Sequence, residues 1–207
     1  APGIKMEKIE RFSNNIAYSL ASTKVRIIAP VPGKQAIGVE VPNKNRQDVL
    51  LGDILKTKEY KDTKSKLPLA LGKDISGKPI IADLTTMPHL LIAGTTGSGK
   101  SVCINSLLFS MLYSKHPEDL RLILVDPKRV ELKAFSDIPH LLTPIVTEPK
   151  YAAMALNWAV DEMERRYELL EEEGCRDIKS YNEKIDERLQ KGIIGSERLH
   201  YIVIVID

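Results

Sequence analysis

The chain has 207 residues, 43% of them hydrophobic, which is enough for a sizeable core and points to one α/β unit or such a unit with a small companion. Its formal charge is only +2, from 30 Lys and Arg against 28 Asp and Glu, so composition gives no independent case for nucleic-acid binding. No run approaches the ~18 apolar residues of a membrane span, the start "APGIKMEKIE" lacks the apolar core of a signal peptide, and Cys103 and Cys175 match no metal or CxxC spacing. A soluble piece in a reducing, cytosolic setting is the expectation.

Charge is unevenly spread. Residues 1–75 carry 14 basic and 8 acidic residues and the remainder 16 and 20, so the two parts net +6 and −4, a hint of two units. In the first part, Ile9, Phe12, Ile16 and Leu20 fall on one helical face, and the text then switches to period two through Ile37, Val39 and Val41, punctuated by Pro30, Pro32 and Pro42. Val49 to Leu67 begins as a short helix and decays into a lysine-rich stretch, which places a division near residue 75. The expected organisation is a small α+β domain over 1–75 and an α/β domain over 76–207.

"LALGKDISGKPIIADL" then predicts a hairpin turning at Ser76-Gly77. After it, strands and helices alternate: strand 90–93, helix 100–114, strand 120–125, helix 149–173 and strand 200–206, the pattern of a parallel sheet covered by helices. In the long helix, Leu156, Val160, Met163, Tyr167 and Leu170 form a stripe expected to face the core, with Pro149 near its start and Gly174 past its end. Trp158 falls off that stripe. The Glu162–Arg166 pair reads as a solvated face, with Arg165 or Arg166 alternatively facing a neighbouring subunit.

Between the first of those strands and its helix, Gly94-Thr95-Thr96-Gly97-Ser98-Gly99-Lys100-Ser101 fits G-x-x-x-x-G-K-[ST]. Glycines let the backbone curl so that its N–H groups, from Gly94 through Val102, point inward as a nest for phosphate with no side chain in the way. The helix starting near Lys100 adds its N-terminal partial charge, Lys100 a full charge toward the β- and γ-phosphates, and Ser101 a hydroxyl for Mg²⁺. The bland alternative is a glycine-rich turn with an incidental lysine.

A nucleotide hydrolase also needs an acidic residue ending a buried strand beside this loop. "HYIVIVID" is continuously apolar and β-branched and ends in Asp207, the candidate second Mg²⁺ residue and, with Lys100, a catalytic one. "LRLILVDPK" is another buried strand, and its Asp126 and Lys128 fall on the same sheet edge. Two roles stay open for them: Asp126 caps a turn while Lys128 pairs with Glu131, or both contact nucleotide or a neighbouring subunit. His89, His116, His140 and His200 are scattered singly and fit no metal pattern. "PNKNR" at 42–46 has Arg46 where guanine recognition by NKxD requires aspartate.

These stretches, together with "IPHLLTPIVTEPKYAAMALNWAVDEMERRY" and the upstream Val25–Asn43 text, resemble the motor region of the FtsK/SpoIIIE family of bacterial DNA translocases. The resemblance covers nearly the whole chain. It implies a RecA-like P-loop domain ending here at the Walker B aspartate, Asp207, preceded by the family's small α domain. It further implies ATP and Mg²⁺ as cofactors, and a homo-hexameric ring that pulls double-stranded DNA through its channel in chromosome segregation at division or sporulation. The location it implies is the cytoplasmic part of a bacterial inner-membrane protein, anchored through an N-terminal region absent from this sequence. The family continues past Asp207 with a water-polarising glutamate, so this piece is expected to bind nucleotide and hydrolyse it poorly. A related ring ATPase that drives protein secretion is the alternative function.

Overall fold

The computed structural model describes residues 8, 11–22, 25–33, 35–193, 195 and 197–207. The chain divides into two compact units, residues 1–48 and 49–207. The segment 49–75 therefore lies with the second unit, whereas composition alone suggested a division near residue 75. The reason is packing: Ile54, Leu55 and Tyr60 close a buried cluster with Ala70, and the Tyr60 hydroxyl donates to the Ser110 carbonyl in the heart of that unit.

In the first unit, α1 (Ser13–Ser19) covers part of the expected helix, and Ile9 falls outside the described residues. Strand β1 (Arg26–Ile28) pairs antiparallel with β2 (Gly38–Glu40), Ile27 opposite Val39. Ile37, Val39 and Val41 are exposed, as are Phe12 and Leu20, so these periodic positions do not form a buried face within the described residues. A two-stranded ribbon of three-residue strands has too little surface to enclose them.

The second unit opens with two short helices, α2 (Leu51–Leu55) and α3 (Lys58–Lys61), the latter capped by the Thr57 hydroxyl accepting from Tyr60 N–H at 3.3 Å. The expected hairpin forms: β3 (Pro68–Lys73) runs antiparallel to β4 (Pro79–Asp83). Its turn is built by Asp74, whose carboxylate accepts from Ser76 N–H (2.8 Å) and Lys78 N–H (2.9 Å), with Gly77 at φ +85°. Burial pushes the Asp83 carboxyl up, but hydrogen bonds from Thr85, Lys66 and Leu67 outweigh it and bring the pKa to about 2, clamping the end of β4.

Helix α4 (Lys100–Ser114) and strand β5 (Leu120–Val125) appear where the pattern places them, and β6 (Tyr201–Ile206) pairs with β5 in parallel, Leu120 opposite Tyr201 through Val125 opposite Ile206. On the opposite edge of β5, isolated parallel bridges join Leu122 to Leu141 and Val125 to Val146. Strand β5 is covered on both faces, as its uninterrupted apolar sequence requires. Leu120, Leu122 and Leu124 pack with Ile104, Leu107, Leu108 and Met111 of α4, and Ile123 and Val125 pack with Ala152 and Ala155 of α5 (Pro149–Glu172).

Three expectations are corrected. Residues 90–93 form no strand: among the described residues no strand pairs with this segment, and an extended run without a partner is not a strand; within it Ile92 alone packs partly against the core. The α5 stripe does not face the core: Leu156, Val160, Met163 and Tyr167 are exposed, while the small side chains of Ala152 and Ala155 approach the sheet and only Leu170 of the stripe is partly buried. The charged face of α5 is in turn not simply solvated. Glu162 accepts from both Arg165 (2.7 Å) and Arg166 (2.6 Å), and Arg166 also donates to the His200 carbonyl at 2.7 Å, tying the helix to the start of β6.

One helix has no counterpart in the sequence expectation. Helix α6 (Ile178–Gln190) is capped by Asp177, whose carboxylate accepts from Ser180 N–H at 2.8 Å, and buries Tyr181 and Ile185 against Leu199. It is fastened by Glu173, which receives two hydrogen bonds from Arg188 (2.6 and 2.7 Å) and an ion pair from Lys184 at 2.9 Å. Among the described residues no helix is long and apolar enough to cross a membrane.

Candidate functional site

The phosphate-loop candidate runs from Gly94 to Ser101 into α4, and its residues from Gly94 to Gly99 are exposed. Gly97 and Gly99 have φ of +81° and +92°, a left-handed region that side chains rarely adopt. At Gly94 an added Cβ would clash with the Ser98 hydroxyl and lie 3.1 Å from its Cβ, so the Ser98 side chain would have to turn aside. The loop is closed on itself by one turn hydrogen bond, Ser98 N–H to Thr95 O at 3.0 Å. Thr95 and Thr96 thus form the exposed rim of the turn.

Helix α4 starts with Gly99 at its cap position, which has no side chain to satisfy the first amides. The first helical bond is Cys103 N–H to Gly99 O (2.8 Å), so the N–H groups of Lys100, Ser101 and Val102 precede it and remain available to an anion. The motif is thus an exposed loop followed directly by a helix N-terminus, with Lys100 as the first helical residue.

Lys100 and Asp207, 107 positions apart in the chain, are brought together by the fold. Residue 207 follows β6, is held by its N–H donating to Val125 O at 3.0 Å, and has a side chain with 0% exposure. Lys100 Nζ is ion-paired with Asp207 Oδ1. A fully enclosed carboxylate is unfavourable without a counter-charge, and Lys100 supplies one.

Lys128 does not pair with Glu131; its Nζ lies 3.6 Å from Asp207 Oδ2. Asp126 does cap the turn: it is buried, its Oδ2 accepts from Leu132 N–H at 3.0 Å, and its carbonyl accepts from Arg129 N–H at 3.1 Å. Pro127 ends β5 between them, so the same turn that buries Asp126 aims Lys128 along the sheet edge toward β6. This second cation beside Asp207 is not deducible from spacing, although a lysine two residues past a strand-ending aspartate marks the position. A cavity of about 380 Å³ lined by Asp126, Arg129, Lys133, Ser136, Ile145 and Thr147 opens next to β5, and no phosphate-loop residue lines it.

The donor set suits Mg²⁺. That ion keeps several waters and takes one or two protein oxygens plus phosphates, and the site offers one hydroxyl, Ser101, and one carboxylate, Asp207. Asp207 Oδ2 is buried and accepts no hydrogen bond, so it has capacity for a metal-bound water. Among the described residues no cluster of three or more His, Cys, Asp or Glu could hold a metal through protein ligands alone.

Two family models match the chain. A model described as FtsK/SpoIIIE family matches residues 50–206, and one described as FtsK alpha domain matches residues 1–43. A DNA translocase FtsK of Treponema pallidum (strain Nichols) is 54% identical over 206 residues, covering 100% of this chain and 25% of that protein. The chain thus spans about a quarter of that relative's length. Among solved structures, the pCW3 conjugation coupling protein TcpA, a monomer form with ATPγS, has a TM-score of 0.60 at 26% identity over 99% of this chain and 52% of that one. The cytoplasmic domain of the Thermomonospora curvata Type VII secretion ATPase EccC has a TM-score of 0.56 at 22% identity over 77% of this chain and 19% of that one, a likeness of fold alone. The fold is that of the P-loop ATPases.

Proposed function

Because this chain belongs to the FtsK/SpoIIIE family, we propose that it is the nucleotide-binding part of an ATP-driven motor that translocates double-stranded DNA. The observation that carries the proposal is the exposed loop 94–99 leading into the unbonded first amides of α4 at 100–102, on the matched segment, with Lys100 paired to Asp207 just past its end. In this assignment residues 50–206 are the motor domain and residues 1–43 its small companion, in line with the two models that match them.

Gly94, Thr95, Thr96, Gly97, Ser98 and Gly99 would wrap the polyphosphate, and the amides of Lys100, Ser101 and Val102 would bind its oxygens. Ser101 and Asp207 would hold Mg²⁺, which when bound neutralises phosphate charge and orients the transferred group. Lys100 would leave Asp207 for the phosphates, since a polyphosphate carries more charge than one carboxylate. Nucleotide binding would then exchange one ion pair of Lys100 for another. Double-stranded DNA as substrate, a homo-hexameric ring, ATP and Mg²⁺ as cofactors, and membrane attachment through another region in a bacterial inner membrane complete the proposal. Its cellular role is chromosome segregation.

The test measures ATP hydrolysis by the full-length protein with and without duplex DNA, beside Lys100→Ala. Duplex DNA should stimulate the parent several-fold, and Lys100→Ala should lose roughly 100-fold or more in rate. Hydrolysis indifferent to DNA would remove the translocase assignment and leave only a nucleotide-dependent motor.

A further inference from the structure

Asp207 has two lysines, one on each oxygen. Lys100 Nζ pairs with Oδ1 and Lys128 Nζ lies 3.6 Å from Oδ2, and the two come from different elements, the start of α4 and the turn after β5. Their surroundings differ as well: the Lys100 side chain is 27% exposed and that of Lys128 is 70% exposed, while the carboxylate between them is enclosed. The turn that carries Lys128 is fixed by Asp126, whose buried carboxylate accepts from Leu132 N–H and whose carbonyl accepts from Arg129 N–H, so the backbone from which this lysine reaches Asp207 is set by the fold.

One counter-charge is enough to neutralise one carboxylate. A second is explained if the first has to leave. When the polyphosphate draws Lys100 away, an enclosed Asp207 is left facing an anionic ligand, and both the burial and the repulsion oppose binding. Lys128 stays, because its anchoring turn does not involve the phosphate loop. The same positive charge works against a divalent cation that shares Asp207, since the ion meets a carboxylate that is already compensated.

We propose that Lys128 is a positioning residue that keeps Asp207 charge-compensated while Lys100 is exchanged between Asp207 and the nucleotide phosphates, favouring metal-free nucleotide at the expense of Mg²⁺. This inference rests on the nucleotide-binding role given above. It requires opposite shifts in two equilibria. In Lys128→Met, which keeps the stem and loses the charge, metal-free nucleotide binding weakens because Asp207 retains Lys100 more firmly and repels the ligand. The Mg²⁺ concentration for half-maximal tightening of binding falls, because the ion becomes the remaining counter-charge once Lys100 has moved. A lysine that merely supported the turn would weaken both when replaced.

The experiment uses the full-length protein and a fluorescent non-hydrolysable ATP analogue, titrated first in EDTA and then against Mg²⁺ at fixed analogue. Lys128→Met should raise the metal-free Kd about threefold or more and lower the Mg²⁺ midpoint by a similar factor, the modest size reflecting an exposed ammonium screened by water. Lys128→Arg should restore both values toward the parent. A Lys128→Met protein whose two values stay within about twofold of the parent, or move in the same unfavourable direction, would overturn the inference and leave the nucleotide site standing. Failure of the parent itself to bind the analogue would overturn both.

Discussion

The ion-pair triad of Glu162, Arg165 and Arg166 is one place where acid should act on this fold. The side chains of Glu162 and Arg166 are only 13% and 16% exposed, so water screens them weakly, and Arg166 has a buried nitrogen with no acceptor even with the pair intact. The hydrogen bond from Arg165 and then that from Arg166 outweigh partial burial and hold the Glu162 carboxyl well below its ordinary 4.5, at about 2. A folded pKa below the unfolded one means that stability is present above pH 4.5 and is lost as pH falls toward 2. A shift of that size corresponds to about 3 kcal/mol as an upper figure, of which most should be gone by about pH 3. Glu162→Gln removes the charge and keeps the shape. Urea unfolding followed by far-UV circular dichroism should find the variant less stable than the parent by about 2–3 kcal/mol at pH 7, with the gap closing steadily between pH 4.5 and 3. A gap that stays constant over that range would show that the charge of Glu162 is not what holds α5 to the start of β6.

Gly99→Ala should destabilise by about 1–2 kcal/mol, since φ is +92° there and no atom crowds the added methyl, and it should also weaken binding of an ATP analogue; melting with and without analogue measures both. Gly52→Ala, inside α2 with open space at the methyl position, should instead stabilise by about 0.5–1 kcal/mol in the same melting assay. Ser110→Ala should cost about 1–3 kcal/mol in denaturant unfolding, because the fully buried hydroxyl accepts from Ala70 N–H at 3.2 Å and donates to Leu107 O at 2.8 Å. If Ser110→Ala matches the parent, the junction between β3 and α4 is held by apolar packing alone.

Local chemistry was legible in the sequence wherever a residue's neighbours along the chain determine its conformation. The Asp74–Gly77 turn, the ends of α4 and the span of β5 follow from turn residues, a glycine-to-lysine boundary and an unbroken apolar run, each of which acts within a few residues. The facing of α5 was not legible for a physical reason. Its largest apolar side chains make the strongest periodic signal, yet helices approach sheets most closely through small residues, so Ala152 and Ala155 set the contact and the large stripe turns outward. Helix α6 was missed although Tyr181 and Ile185 stand four apart behind an Asp177 cap; with only two buried positions among many charges, its apolar signal is weak. The segment 90–93 shows the limit from the other side, because an apolar run becomes a strand only when a partner strand accepts its hydrogen bonds.

The candidate site divides along the same line. Glycine positions and the lysine that follows them can be named from spacing because a phosphate nest is made from consecutive backbone amides. What surrounds Asp207 cannot, because its burial arises from the pairing of β6 with β5 and its second cation arrives on a turn 79 residues earlier in the chain. That turn depends on Pro127 ending β5 and on Asp126 being buried beneath it, which are tertiary consequences of covering β5 on both faces. The charge balance around the metal-site candidate is therefore a property of the folded sheet edge rather than of either motif. A single substitution at Lys128, outside both motifs, is accordingly expected to alter how the two motifs share a nucleotide and a metal ion.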